Sequence, residues 1–370
     1  MIRDFYFDRL LFLSFLVLML LGVVFVYSAT SIPSLLNGKD PYIYLKKEFF
    51  WLVISFFAMF GAYLIPIDTW KKLSYPIVLT AFILLILVLI FPADIAHKNV
   101  KRWLDLGIFR FQPSEFAKIA VVFFLSYFVY RKYRYLKRWE TTFAAFSIPA
   151  LISFLIFIEP HKGAAIFVLV LTFLIMLSAP FDWKKVVILP ALVSPIIIMK
   201  ILSSGYASKR LEAFLNPVSH RGESAYQVFQ ALLAFAKGGF FGEGIGAGTQ
   251  KLKYLPEIHT DYIFALIGEE IGFIGAVFVI LVFLFILYRG IQISINADDI
   301  FTQVLGVGLT YVIVLQGLFH MAVNVSLFPP TGFTLPFISY GGSSLFMMSV
   351  CAGILLRVSK EPRKTIFSKY

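Results

Sequence analysis

Charge is scarce in this sequence. Only 15% of its 370 residues are Asp, Glu, Lys or Arg, against about a quarter in ordinary soluble domains, so a compact water-soluble enzyme is excluded at the outset. Cysteine is nearly absent. Cys351 stands alone inside an apolar run, which excludes an intrachain disulfide and leaves the redox compartment unread. Acidic residues are outnumbered, 21 against 33 Lys and Arg, for a net charge of +12. In a soluble protein that balance would suit nucleic acid. In a membrane protein basic residues hold loops at one face and meet anionic lipid, so nucleic-acid binding is set aside. Apolar and polar residues also fail to alternate: segments 10–26 and 79–91 are almost unbroken apolar runs, which argues against a transmembrane barrel.

Long hydrophobic runs are what the chain has in abundance. Hydrophobic residues make up 59% and aromatics 18% of it, with a mean hydropathy of +0.85. The runs cover 10–29, 48–65, 73–92, 114–130, 142–159, 164–180, 186–202, 262–288, 301–322 and 335–356. Crossing about 30 Å of hydrocarbon takes about 20 residues of helix. The expected fold is therefore an all-α integral membrane protein of ten transmembrane helices, a single polytopic domain over 1–370. A large extracytoplasmic loop, 203–261, joins helices 7 and 8. The first run follows Arg3, Asp4, Asp8 and Arg9 and is long enough to span, so it is expected to be a retained helix and not a cleaved signal. Short loops carrying Lys71, Arg131, Lys132, Arg134, Lys137, Arg138, Lys184 and Lys185 place those loops and both termini in the cytoplasm.

Two polar segments break the pattern. Segment 93–113 interleaves Lys98, Arg102, Trp103, Asp105 and Arg110 with Leu104, Ile108 and Phe109, as an interfacial stretch with aromatic anchors would. Segment 203–261 is long enough to build a site outside the bilayer, and holds Arg210, Lys237, Lys251, Glu257, His259 and Asp261. Six glycines in 238–248 resemble a phosphate-cradling loop but lack the flanking strand and helix, so re-entrant backbone or tight helix packing is the expected reading.

Three places concentrate chemistry-bearing side chains. Glu115 and Lys118 are three apart on the fourth helix, hence on one face, and either make a structural ion pair or handle a charged ligand. Asp261 precedes the eighth helix. It is either a cap or a carboxylate at the membrane mouth that takes a proton from a sugar hydroxyl or holds a divalent metal. His259 has no companion at ligand spacing, which excludes a zinc site. Segment 329–345 carries Pro329, Pro330, Pro336, Gly332, Gly341 and Gly342 among several hydroxyl residues, which predicts a broken last helix.

The motifs Ile338-Ser339-Tyr340-Gly341-Gly342-Ser343-Ser344, Gln112-Pro113-Ser114-Glu115 and Thr260-Asp261-Tyr262-Ile263-Phe264-Ala265 leading into Gly268-Glu269-Glu270 closely resemble those of the SEDS family (shape, elongation, division and sporulation), of the FtsW and RodA type. The match runs over nearly the whole chain. It implies a ten-helix peptidoglycan glycosyltransferase of the bacterial cytoplasmic membrane. Such an enzyme polymerises lipid II and extends a lipid-linked glycan beside a class B penicillin-binding protein, which crosslinks the strands. On the resemblance Asp261 is the expected catalytic residue. Glu115, Lys118, Arg210, Arg102, Lys251, His259, Ser339 and Ser343 form the expected substrate-binding set. A divalent cation, Mg or Mn, is expected near Asp261, and no organic cofactor. Gln250-Lys251 and Tyr254-Leu255-Pro256-Glu257 look like the division type. One departure stands out: relatives usually read Pro-Asp-Leu-Gly after the fifth helix, and this chain has Pro160-His161-Lys162-Gly163.

Departure of a polyprenyl pyrophosphate builds charge on phosphate, which cations or a metal must meet. The acceptor hydroxyl needs a base. A transporter of the same lipid would share the basic cavity without needing a base at Asp261, and a structural scaffold would leave the buried charges without a role. Small residues should mark helix contacts in lipid, so Gly272 and Gly275 of the eighth helix and Gly306 and Gly308 of the ninth are the expected face for a partner's span.

Overall fold

The structure is a computed structural model that describes residues 7–93, 102–105, 107, 109–159, 161–202, 223–252, 255 and 257–360. Helices account for nearly all of its regular structure. In chain order they are α1 (Arg9–Leu36), α2 (Ile43–Leu64), α3 (Ile67–Ile90), α4 (Pro113–Lys132), α5 (Trp139–Ile158), α6 (Lys162–Ser178), α7 (Trp183–Leu202), α8 (Glu223–Gly238), α9 (Ile263–Glu270), α10 (Gly272–Ile295), α11 (Ile300–Asn324) and α12 (Gly342–Val358). A two-stranded antiparallel ribbon, β1 (Leu104–Asp105) and β2 (Arg110–Phe111), pairs Leu104 with Phe111.

Seven of the described helices, α1 to α5 with α10 and α11, are long and apolar enough to cross a membrane. Helices α6 and α12 are apolar but shorter. Burial sorts the spans into layers. In α4 and α11, 78% of the apolar window is buried, whereas α2 and α3 bury 28%. The first two form the axis of the bundle, and the others turn broad apolar faces outward, as lipid contact requires. Asp8 starts α1 by accepting from Leu11 N at 2.9 Å, and its carboxylate also pairs with Arg289 of α10 at 2.6 Å. A lone charge at that depth would be costly, and the pair removes the cost while tying α1 to α10.

The expected eighth helix, 262–288, is two helices. Gly272 adopts φ 75° between α9 and α10, a conformation that glycine tolerates and a continuous helix cannot hold. The glycine-rich segment packs into that break: a Cβ at Gly272 would meet Gly242 N at 2.4 Å, and one at Gly238 would meet Gly268 O at 1.9 Å. Backbone closes the contact, with Glu243 N donating to Glu269 O and Gly244 N to Glu270 O, both at 3.0 Å. Tight packing is thus the use of Gly238, Gly242 and Gly248, whereas a Cβ at Gly239, Gly244 or Gly246, all at positive φ, would meet nothing closer than 3.9 Å.

The expected last helix, 335–356, begins only at Gly342. Residues before it form a turn in which Ser339 N donates to Leu335 O at 3.0 Å. Phe337, at φ 66°, drives its carbonyl toward Gly22 of α1, where a Cβ would come within 2.5 Å. Gly306 and Gly308 do not form an outward face. Their missing side chains admit Ser294 of α10 and Val122 of α4 respectively, so both are consumed inside the bundle. Gly275 lies against Ile271 of its own chain segment.

Candidate active site

A cleft of about 910 Å³ opens at the end of the bundle where α4 starts and α5 ends. Tyr44, Lys47 and Trp51 of α2 form one wall, and Trp103, Phe109 and Arg110 of the ribbon form another. The floor is the turn before α9, with Glu257, His259 and Thr260, and the start of α12, with Tyr340 and Ser343. Gly342 is required here, because a Cβ would strike the Trp51 indole at 2.2 Å. Trp51 in turn meets Phe109 edge-on at 5.4 Å. Aromatic planes facing lysine and arginine suit a ligand that is part saccharide and part anion.

Asp261 follows directly on the floor residues. Its backbone is held twice: its N–H donates to Glu257 O at 3.0 Å and its carbonyl accepts from Asn324 Nδ2 at 2.9 Å. Asn324 Oδ1 also accepts from Ala265 N at 3.0 Å, so one amide of α11 fixes the start of α9. The N-cap residue of α9 is Tyr262, whose own side chain makes no cap bond. A Cβ on Gly332 would lie 3.4 Å from Asp261 Oδ2, which places the carboxylate against the loop leading to α12. Glu257 reaches the turn at φ 54°, an uncommon backbone conformation for a residue with a side chain.

His259 packs between Tyr44 and Tyr340, with ring centroids at 5.4 and 5.6 Å. Burial pushes its imidazole below the ordinary value of 6.5, and the nearby Glu257 charge opposes this only in part. It is a neutral ring near pH 7. Ser339 lies behind the cleft: its hydroxyl donates to Thr260 O at 2.7 Å and accepts from Leu335 N at 2.8 Å. That pair of bonds staples the turn before α12 to the Asp261 turn. Ser343 lines the cleft itself.

Glu115 and Lys118 meet, at 2.7 Å, with the lysine fully buried. Lys118 also donates to Gln316 Oε1 of α11. Gln316 Nε2 donates to Thr334 Oγ1 at 3.1 Å, and Thr334 and Ser344 hydroxyls lie 2.8 Å apart. Sequence reading missed Gln316, an amide in the middle of an apolar helix 198 positions away. Lys251 is placed away from the cleft. It is buried under α9, donating to Glu270 Oε1 at 2.7 Å, Gly246 O at 2.6 Å and Ser28 Oγ at 3.0 Å. Glu269 accepts from Thr249 N at 2.8 Å, so the two glutamates anchor the glycine-rich loop.

Arg102 stands beside β1, and its charge acts on Glu159, the residue that ends α5. Glu159 is fully buried, and among the described residues neither of its carboxylate oxygens has a hydrogen-bond partner. Nothing local in the sequence marks Glu159, because its surroundings are set by Arg102, which is distant along the chain. His161 Nδ1 lies 3.4 Å from Gln112 Nε2 and from Ser114 Oγ. Glu48 of α2 is a second missed carboxylate, buried behind the cleft, with its charge acting on Tyr340. Arg210 lies outside the described residues.

For a metal, the protein donors are few. Among the described residues no three His, Cys, Asp or Glu side chains cluster at ligating distance. One carboxylate fits a hard cation only where phosphate oxygens supply most of the shell.

Comparison with known proteins matches this arrangement. The family model described as cell cycle protein, covering FtsW, RodA and SpoVE, matches residues 8–364. A probable peptidoglycan glycosyltransferase FtsW of Geobacter sp. (strain M18) is 34% identical over 96% of this chain and 98% of its own length. Stage V sporulation protein E of Bacillus subtilis (strain 168) is 35% identical over 96% and 98%. Among solved structures, a chain of a peptidoglycan synthase complex that couples polymerization and crosslinking superposes with a TM-score of 0.73 at 23% identity, over 95% of this chain and 97% of that one. The rod shape determining protein RodA of Thermus thermophilus gives 0.68 at 22% identity, over 96% and 98%. With the family model covering almost its entire length, this chain belongs to the FtsW/RodA/SpoVE family.

Proposed function

We propose that the chain is a peptidoglycan glycosyltransferase that polymerises lipid II at the outer face of a bacterial cytoplasmic membrane. Its relatives are named for that activity, and the cleft beside Asp261 has the composition the reaction needs. In the step, the acceptor's sugar hydroxyl attacks the anomeric carbon of the donor. The bond from that carbon to the pyrophosphate breaks, polyprenyl pyrophosphate leaves, and the hydroxyl proton passes to Asp261. Lys47 and Arg110 face the cleft where they meet phosphate charge, and Tyr44, Trp51 and Trp103 offer planes for sugar rings. A Mg or Mn ion, if used, would be held by Asp261 together with phosphate oxygens and would neutralise the leaving group.

One observation carries the chemical reading: Asp261 has its backbone locked by Glu257 and Asn324, directly after the cleft-floor residues Glu257, His259 and Thr260, and its carboxylate lies against Gly332 of the loop leading to α12. A carboxylate fixed that firmly at the edge of the cleft is placed to serve it. Asp261→Asn keeps size and hydrogen bonding but loses the charge. With purified protein and lipid II, polymer formation should fall by roughly 10²–10⁴ while thermal unfolding stays unchanged. Polymer within about threefold of the parent would move the base elsewhere, with Glu257 next. Lipid II translocation without polymer from the parent protein would favour a transporter.

We further propose ten spans with both termini cytoplasmic and the 203–261 segment outside, a division-type role, and a class B penicillin-binding protein as partner. The structural match to a chain of a synthase complex supports a crosslinking partner. With Gly306 and Gly308 buried, the surface left for its span is the exposed face of α10 at Phe273, Phe278 and Leu281.

A further inference from the structure

The membrane face opposite the cleft carries a second cavity. Helix α4 runs for 20 residues from the cleft, about 30 Å, and ends at Lys132. One tight turn, Tyr133–Tyr135, then leads to α5 at Trp139. Between the end of α4 and the start of α5 lies a hollow of about 500 Å³, lined by Lys132, Tyr135, Arg138 and Glu140, with Phe128 and Ala144 as its apolar wall.

The geometry points to a headgroup site for an anionic phospholipid in this hollow. Five cations fall within eight residues: Arg131, Lys132, Arg134, Lys137 and Arg138. Among the described residues, none of them is in an ion pair. Glu140 is the one carboxylate lining the hollow, against two cations. Arg138 is not left to wander, since its guanidinium lies 4.9 Å from the Tyr135 ring. The arginine is thereby held at the lining of the hollow, able to present its fork to phosphate. From α7, Lys185 crosses to the Lys137 carbonyl and sits 5.4 Å from the Trp139 ring. That contact ties α7 to the turn beside the hollow, while Lys185 itself pairs with Asp182 at 3.7 Å.

What selects a lipid over a free phosphate is the continuation of the apolar wall. Tyr133, Tyr135 and Trp139 are exposed at the level where ring and headgroup meet. Below them Phe143, Leu151, Phe154 and Ile158 form one exposed stripe along α5, where acyl chains would lie. A soluble anion would use the cations and leave that stripe idle. Basic hollows between spanning helices are where acidic headgroups are held. This inference is independent of the glycosyltransferase reading, because no residue of the cleft takes part.

The test uses the full-length protein in a neutral detergent, with thermal unfolding followed in phosphatidylglycerol, phosphatidylcholine or inorganic phosphate at equal concentration. Phosphatidylglycerol should raise the Tm of the parent by several degrees, and the other two should not. K132Q/R138Q should lose most of that shift while its Tm in phosphatidylcholine matches the parent. K39Q, which removes a cation on the opposite face, should keep the full shift. Should K132Q/R138Q fold poorly, raising the salt from 0.1 to 0.5 M with the parent should shrink the phosphatidylglycerol shift by more than half. Equal shifts with phosphatidylcholine, or a full shift in K132Q/R138Q, would overturn the site. An equal shift with inorganic phosphate would overturn the lipid as its ligand.

Discussion

Lys118 donates to Glu115 at 2.7 Å within one turn of α4, and the lysine ammonium reaches no solvent. Gln316 closes the far side of the ammonium and links it to Thr334 and Ser344. The rings of Phe167 and Phe333 lie 5.3 and 5.9 Å from the same nitrogen. The ammonium so enclosed ties α4 to α11 and, through Gln316, to the loop before α12.

That enclosure makes a specific demand on paired substitutions. Lys118→Met leaves Glu115 as an uncompensated buried charge, and Glu115→Gln leaves Lys118 in the same state, each at a cost of about 3–5 kcal/mol. The double variant removes both charges. Thermal unfolding in detergent should show the double variant more stable than either single one. A double variant as unstable as the singles, with lipid II binding lost, would return Lys118 to the substrate.

Lys251 tests the same distinction in the opposite region. Its ammonium is spent on Glu270, Ser28 and Gly246, and these contacts hold the glycine loop under the α9–α10 break. Lys251→Met should therefore lower the Tm by several degrees and cut the yield of folded protein. The KM for lipid II of the protein that survives should stay within about twofold. A tenfold rise in KM at unchanged Tm would show that Lys251 reaches the substrate.

Much of this was legible in the sequence, and the gaps have physical reasons. Spans follow from run length, and the Glu115–Lys118 pair from helical spacing, because both are local. The split at Gly272 was hidden, since an apolar run reads the same whether or not one glycine leaves helical φ. The ribbon at 104–111 is too short for alternation to register. Gln316 and Glu159 became meaningful only through residues distant in sequence, Lys118 and Arg102. Gly306 and Gly308 were read as a partner's surface because small residues mark any close helix contact, inside a bundle or outside it.

Low pH should expose the burial of His259. Its folded-state value lies below the ordinary 6.5 because burial disfavours the imidazolium. The sign follows: the neutral ring is accommodated above about pH 6.5, and stability is lost as the pH falls below it, because the unfolded chain takes up the proton first. The loss has a limiting slope of about 1.4 kcal/mol per pH unit. Unfolding curves from pH 7.5 to 5 should show a steeper fall in Tm for the parent than for His259→Gln. Parallel curves would mean that the ring titrates as it would in water.

Glu159 gives the last and sharpest test, because this chain carries His161 where its family resemblance would put an acid. The carboxylate that this region does contain ends α5 two residues earlier, fully buried, where burial opposes its ionisation and the Arg102 charge offsets this only in part. Arg102 precedes Trp103 and the ribbon that walls the cleft, so Glu159 is a positioning residue for that wall. Glu159→Gln keeps the shape and removes the ionisable group on which the Arg102 charge acts. The ribbon should then hold its place less firmly, and the expected result is a KM for lipid II raised several-fold with kcat within about threefold. A merely structural role would lower the Tm and leave KM alone. Moving the acid, as in E159Q/H161D, offers a further discrimination: Asp at 161 would accept from Ser114 or Gln112, which now lie 3.4 Å from the imidazole, and would sit at the N-cap of α6. If the attraction for Arg102 is what matters, that double variant should recover most of the KM. Recovery of Tm alone, with KM still high, would show that the position of the carboxylate at 159 is essential to the wall.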